Sequence, residues 1–361
     1  MFMAASFSAT TDEDHVPLSF DGEDGLTRLI HHLKGAGHKT LVVLCDDNTH
    51  RYCYPLVADR LPPGHATVII PQGEASKELT NVQAVWDQLL ELRAGRDAAV
   101  LNLGGGMVTD LGGFAASTFK RGIAFYQMPT TLLAMVDAAH GGKTGINYMG
   151  LKNVIGSFAL PQGTLVFPDF LQTLPQRALK AGMAEMLKHG LIADRNHWNA
   201  VRNTSAQAMP QALDLIQASM HIKRHICAMD FYEQNQRKAL NLGHTVAHAL
   251  ESCSVRHDRD PLWHGEAVAH GIRVELALAA NRLLISWRDT EEIHQTLVRL
   301  YGNYTVSRSR LPELMRFMHQ DKKNERGLIH CSLLQAIGDV WPSVPVHENE
   351  LERALRETLL S

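Results

Sequence analysis

The chain has 361 residues, 45% of them hydrophobic and 20% charged, with a formal charge of −3. That length exceeds what one hydrophobic core usually organises, so two domains with a cleft between them are expected. The near-balanced charge supplies no basic field for nucleic acid or an acidic membrane surface, which leaves small molecules as the expected partners.

Residues Met1 to His15 carry Thr10-Thr11-Asp12-Glu13-Asp14 and lack the basic start and apolar run of a signal peptide, so no secretion signal is expected. Cys45, Cys53, Cys227, Cys253 and Cys331 are scattered without a CxxC pair, an odd count that suits a reducing, cytoplasmic compartment. Short β-branched runs at residues 40–44, 66–70, 98–103 and 123–127 alternate with helical patterns and predict an α/β domain with a largely parallel sheet. Between the second and third runs, Leu79, Val82, Trp86, Leu89 and Leu90 recur at helical spacing, with Ser76 as the expected N-cap and an end near Ala94-Gly95.

Gly104-Gly105-Gly106 follows the third run and leads through Asp110 to Gly112-Gly113. Such glycines admit a phosphate close to backbone N–H groups at a helix N-terminus, although a tight turn reads the same way and GxGxxG spacing is not met. Asp46 and Asn48 end the first run, where a carboxylate can meet a ribose or simply cap a turn. From Arg121 to Asn153 the chain gathers Thr130-Thr131, Asp137, Gly141-Gly142-Lys143-Thr144-Gly145 and Lys152-Asn153. These are cations and donors suited to a phosphorylated or carboxylated substrate, or else a solvated loop.

A boundary is expected near residue 175, because Arg177 to Arg299 reads as successive helices, followed by a short strand or hairpin near Gly327–Leu334 and a last helix from Asn349 to Leu360. The most apolar stretch, Val268 to Ile285, is interrupted by His270, Arg273 and Glu275 and is no membrane span. Glu185 and Lys188 fall one helical turn apart, Arg237, Asn241, His244 and His248 would share one side of a helix, and His264 opens another helix. A solvated stripe is one reading. The other is a metal site, since Glu185, His244 and His264 would leave the open coordination position that catalytic zinc needs, with His248 as an acid-base or orienting group.

Taken together, Gly104-Gly105-Gly106…Asp110, Arg121-Gly122, Pro129-Thr130-Thr131-Leu132-Leu133, Val136-Asp137, Gly141-Gly142-Lys143-Thr144-Gly145, Lys152-Asn153, Glu185…Lys188, Asn241-Leu242-Gly243-His244-Thr245, His264-Gly265-Glu266 and Asp321-Lys322-Lys323-Asn324 resemble the 3-dehydroquinate synthase family over roughly residues 40 to 340. The resemblance implies an α/β plus α architecture, with a Rossmann-like dinucleotide-binding domain (1–175) followed by a mainly helical metal- and substrate-binding domain (176–361). It implies a lyase of the shikimate pathway, usually a homodimer, that uses NAD and zinc, with cobalt as an alternative ion. The substrate would be a phosphorylated sugar acid, 3-deoxy-D-arabino-heptulosonate 7-phosphate, converted to 3-dehydroquinate and phosphate through transient oxidation, phosphate loss, re-reduction and aldol closure.

Carried over by motif, the metal ligands are Glu185, His244 and His264. Lys143, Asn153 and Arg121, the last from across a dimer interface, match residues around the substrate phosphate, and Lys223 and Arg237 match those around its carboxylate. Lys188, Asn241, His248 and one of Lys322 or Lys323 complete the pocket, while Asp46, Asn48, Glu74, Lys77, Gly105, Gly106, Asp110, Thr130, Thr131, Asp137, Lys152, Phe170 and Thr173 match cofactor-side positions. Three departures stand out: Ala139-His140 for a serine-like residue and valine, Ala247 for glycine, and a longer Ser252–Trp263 segment.

Overall fold

A computed structural model describes residues 17–149, 151–320 and 328–360. The chain opens with β1 (Leu18–Asp21) and α1 (Gly22–Gly35), then β2 (Thr40–Asp46), α2 (Asp47–Tyr52), β3 (Ala66–Ile70), α3 (Leu79–Glu91), β4 (Ala98–Gly104), α4 (Gly106–Thr118) and β5 (Ala124–Pro129). An antiparallel hairpin, β6 (Lys143–Tyr148) and β7 (Leu151–Phe158), precedes β8 (Gly163–Val166). Strands β1, β8, β5, β4, β2 and β3 form one sheet in that order, with parallel pairing throughout.

The central runs are strands because both faces of the sheet are covered there. Val43, Cys45, Leu101 and Leu103 enter one buried cluster, whereas Val42, Leu44 and Val100 enter the cluster under α3 and α4. α3 begins without a side-chain cap, behind Glu78 rather than Ser76. It stops at Glu91, three residues before the expected end, and Arg93 then takes a left-handed φ of 51°. Ser76 instead sits in a 3₁₀ turn and donates to the Gln72 carbonyl.

The remainder is mainly helical: α5 (Gln176–Ala193), α6 (Arg195–Arg202), α7 (Leu213–Met229), α8 (His244–His257), α9 (His264–Asn281), α10 (Trp287–Tyr301) and α11 (Leu311–Gln320). A hairpin of β9 (Ile329–Ala336) and β10 (Asp339–Val346) and a final α12 (Glu348–Thr358) follow. The larger buried cluster runs from Leu26 and Leu101 through Leu187 and Val246 to Leu355, so one face of the sheet and the helical half share a continuous core. Among the described residues no helix is long and apolar enough to cross a membrane.

The chain direction reverses between β2 and β4: β3 lies to one side of β2, and the next strand, β4, returns to the other. In open parallel sheets the crevice at such a reversal, at the carboxyl ends of the strands, is the usual ligand position. Asp46 ends β2 and Gly104 ends β4.

Candidate active site

Three helices converge on one buried carboxylate. Glu185 of α5 is fully buried, and its Oε1 lies 3.6 Å from His244 Nε2 at the start of α8 and 3.5 Å from His264 Nε2 at the start of α9. Oε2 is ion-paired with the Lys188 ammonium, which leaves Oε1 facing the two imidazoles. Burial opposes ionisation of Glu185, but Lys188 and His264 together hold the carboxyl below its usual range. One donor atom from each of the three residues lies within 4.8 Å of the others. With Oε2 compensated by Lys188, Oε1 and the two imidazole nitrogens form an oxygen-nitrogen-nitrogen set of three ligands, which leaves a coordination position open and suits zinc.

Local packing sets this geometry. The expected single helix bearing Arg237, Asn241, His244 and His248 is instead a 3₁₀ turn over Gln236–Asn241, a left-handed Gly243 (φ 81°), and then α8. Gly243 is required because a Cβ there would meet the Ile272 nitrogen and the Val268 carbonyl at 2.9 Å, and its N–H donates to buried Glu275 (2.8 Å). The break turns the His244 ring toward His264, with centroids 5.3 Å apart, while His248 lies edge-on to His244 at 5.6 Å.

Several cations with specific partners complete the surroundings. Lys223 donates to Asp137 (2.5 Å), and although burial opposes ionisation, Lys223 and Lys188 hold the Asp137 carboxyl far below its usual range. Arg237 is buried, donates to the Phe231 carbonyl (2.6 Å), and packs so closely on Gly141 that a Cβ there would meet the guanidinium at 2.6 Å. Lys143, at the foot of β6, pairs with Glu233, which also accepts from Asn241 (2.9 Å).

On the sheet side, Gly105 begins the turn into α4, and a Cβ at Gly105 or Gly106 would crowd Thr131 or Ala138 at 3.1–3.2 Å. A backbone cradle at a helix N-terminus, glycine for steric reasons and placed at the strand reversal, fits a dinucleotide pyrophosphate. Lys77 donates to Asp110 (2.5 Å) and to Asn153, and Glu74 accepts from Asn147 (2.8 Å). Asp46 is occupied locally, accepting from the Thr49 N–H (2.8 Å) as the cap of α2, and Asn48 donates to Gln72. Thr131 accepts from the Ala134 N–H (3.1 Å), and the neighbouring Thr130 hydroxyl is buried with no partner among the described residues.

Not every expected neighbour joins these groups. Arg121 is exposed beyond the far end of α4, about 20 Å of helix from Gly106. Asn153 stands five residues along β7 from Phe158, the partner of Lys143, so about 17 Å of strand separates the two expected phosphate residues. Asn153 therefore falls with Lys77, whereas Lys152, expected on the cofactor side, donates to Glu251 (3.3 Å) near the metal cluster. Phe170 is buried against Phe167 and Thr173 is exposed; Lys322 and Lys323 lie outside the described residues.

The three departures are accommodated. His140 is buried and bonded to the Met135 carbonyl (2.7 Å), and Ala247 is fully buried within α8. The segment before His264 is tied down by Asp258, which accepts from Ser254, Tyr304 and Arg310, and by Arg177, which donates to Asp260, Glu266 and the Pro261 carbonyl. Sequence reasoning missed Glu233, Glu251 and His189. His189 stands four residues after Glu185, with Nε2 3.9 Å from Asp137, and burial lowers its pKa to about 3. The i, i+4 spacing from Glu185 was a signal for His189; nothing local marked the other two.

Family profiles described as 3-dehydroquinate synthase N-terminal and C-terminal match residues 67–181 and 182–324. A 3-dehydroquinate synthase of Parabacteroides distasonis is 39% identical over 326 residues, covering 90% of this chain and 92% of that protein. Among solved structures, a 2-deoxy-scyllo-inosose synthase complexed with carbaglucose-6-phosphate, NAD+ and Co2+ shares the fold, with TM-score 0.82, 24% identity and coverage of 94% and 96%. ValA, a 2-epi-5-epi-valiolone synthase from Streptomyces hygroscopicus subsp. jinggangensis with NAD+ and Zn2+ bound, gives TM-score 0.81 at 25% identity over 95% and 96%. With both profiles matched in order across more than half its length and a relative this similar across nine-tenths of it, the chain belongs to the 3-dehydroquinate synthase family.

Proposed function

We propose that the protein converts 3-deoxy-D-arabino-heptulosonate 7-phosphate to 3-dehydroquinate and phosphate, the lyase step of the shikimate pathway. The observation that carries this is a buried Glu185 facing two imidazoles, paired with Lys188, with Lys223 held by the neighbouring Asp137. Glu185, His244 and His264 would hold zinc or cobalt, and the Gly104–Gly106 turn would hold NAD. When bound, the metal supplies polarisation of a substrate oxygen and NAD supplies transient oxidation of a substrate hydroxyl.

The remaining work belongs to side chains of the protein. Lys223 and Arg237 bind the substrate carboxylate through charge-assisted bonds, and Asp137 keeps Lys223 oriented. Lys143 meets the substrate phosphate group, with the Arg121 of a second copy of the chain. Lys188 and Asn241 complete the walls, and His248 moves the proton at the reacting hydroxyl. Asp46, Asn48, Glu74, Lys77, Asp110, Thr130, Thr131, Asn153, Phe170 and Thr173 serve the cofactor side, directly or by supporting the loops that do. The division between dinucleotide and metal halves falls near residue 175, just before α5. The working form is a cytoplasmic homodimer; the five cysteines, all buried with no disulfide joining them, support a reducing compartment.

Other sugar-phosphate cyclases are the second reading, and two neighbouring cations, Lys223 held by Asp137 and Arg237, favour a carboxylated sugar over theirs. The test supplies purified protein with zinc, NAD and the heptulosonate phosphate, following phosphate release and product formation by NMR. A folded, metal-loaded sample that yields neither phosphate nor 3-dehydroquinate overturns the assignment, and net NADH accumulation from a polyol replaces it with a dehydrogenase.

A further inference from the structure

Glu251 has no role in the scheme above, yet its environment is built. It lies on α8 seven residues after His244, two helical turns along the same face, and its side chain is 9% exposed. Its two oxygens reach different elements: Oε2 lies 3.5 Å from His264 Nδ1, and Oε1 accepts from Lys152 of β7 at 3.3 Å. His264 therefore stands between two carboxylates, with Nε2 toward Glu185 and Nδ1 toward Glu251. For Nε2 to offer its lone pair to a metal, the ring proton must reside on Nδ1, and an anionic acceptor there both fixes that tautomer and raises the basicity of Nε2. His244 is served differently, since its Nδ1 faces the neutral Leu242 carbonyl at 3.2 Å.

We infer that Glu251 is the positioning residue of the metal centre: it fixes the tautomer and orientation of His264 and, through Lys152, ties that ligand to the β6–β7 hairpin. A buried carboxylate shared between a lysine and an imidazole from separate elements is costly as mere scaffolding, because desolvation consumes most of what the pairing returns. The inference rests on the reading of His264 as a metal ligand, and its test separates the two.

Co2+ is titrated into purified full-length protein against a chromophoric chelator, and the visible spectrum of the bound ion is recorded. Glu251→Gln is expected to keep one ion per chain but bind it about 10–100-fold more weakly, with a shifted Co2+ spectrum, and Glu251→Asp to recover much of the loss. Unchanged affinity and spectrum in Glu251→Gln, alongside lost binding in His264→Ala, refute the role of Glu251 and leave the ligand reading standing. Wild-type binding by His264→Ala overturns both. Should Glu251→Gln fold poorly, proton NMR of the zinc-loaded wild type decides: a His264 Nδ1 proton shifted downfield of the His244 Nδ1 proton by its carboxylate acceptor is expected, and matching shifts for the two overturn the inference.

Discussion

A single methyl group at Gly265 is expected to weaken both the fold and metal binding. Gly265 lies in the first turn of α9, where it crosses α5, and a Cβ there would stand 2.2 Å from the Ala181 carbonyl oxygen and 2.4 Å from the Ala181 Cα. Ordinary contact begins at 3.4 Å, so Gly265→Ala has to push the helices apart by about 1.2 Å. The obstacle is helix backbone, which cannot swing aside as a side chain could, and overpacking of this kind costs ~1–3 kcal/mol. Ala181 is one turn before Glu185, and Gly265 directly follows His264, so the same displacement enters the 3.5 Å separation between Glu185 and His264. Metal sites tolerate errors of about 0.2 Å, which puts the expected loss of Co2+ affinity at roughly tenfold or more. Denaturant melts followed by circular dichroism, with Co2+ titration of the folded protein, read both effects. Gly35→Ala is the control: it ends α1 with nothing within 4 Å and should be neutral or stabilising by up to ~1 kcal/mol. A Gly265→Ala protein with wild-type stability and metal affinity would refute the claim that this crossing sets the site.

Arg237→Ala should retain stoichiometric metal while KM rises by about 10–100-fold, the worth of a charge-assisted bond, as steady-state kinetics beside metal analysis will show; loss of metal instead would place Arg237 in the ligand shell. Zinc at about 100 times its dissociation constant should stabilise the chain by ~2.7 kcal/mol, an increment that chelator removes and Glu185→Gln lacks, and a metal-independent melt in the wild type would contradict the site. His140 supplies a pH signature: burial lowers its pKa to about 3 against ~6.5 when unfolded, so between those values the unfolded chain binds more protons. Stability contributed at high pH is therefore lost as pH falls through that window, by at most ~1.4 kcal/mol per unit, and His140→Val should flatten the slope. Identical pH profiles for the two proteins would show that His140 is not buried neutral.

Much of the architecture was legible because its signals are local. The runs at 40–44 and 98–103 are apolar on both faces, as strands buried between two layers must be, the edge run at 66–70 buries only Val68 and Ile70, and the helices from Arg177 onward repeat apolar residues at helical spacing. Strands β1 and β8 were not legible: each has four residues, and they pair with each other across more than 140 positions of sequence. The β6–β7 hairpin hid behind the glycines and lysines that suggested a ligand loop, and Gly113 of α4 is what admits it, since a Cβ there would strike Thr144 at 2.6 Å.

The sequence alone determined the chemical inventory: which carboxylates, imidazoles, lysines and glycines exist, and in what order, because motif spacing is a property of the chain. Only tertiary structure decided which of them meet. It broke the expected helix at Gly243 and so aimed His244 at Glu185, parted Asn153 from Lys143 along a strand, sent Lys152 to Glu251, and left Arg121 at the far end of α4. Glu251 illustrates the physical reason. Its partners are 13 and 99 residues away, and only the packing of α8 against α9 and the hairpin brings their charges within reach of one carboxylate.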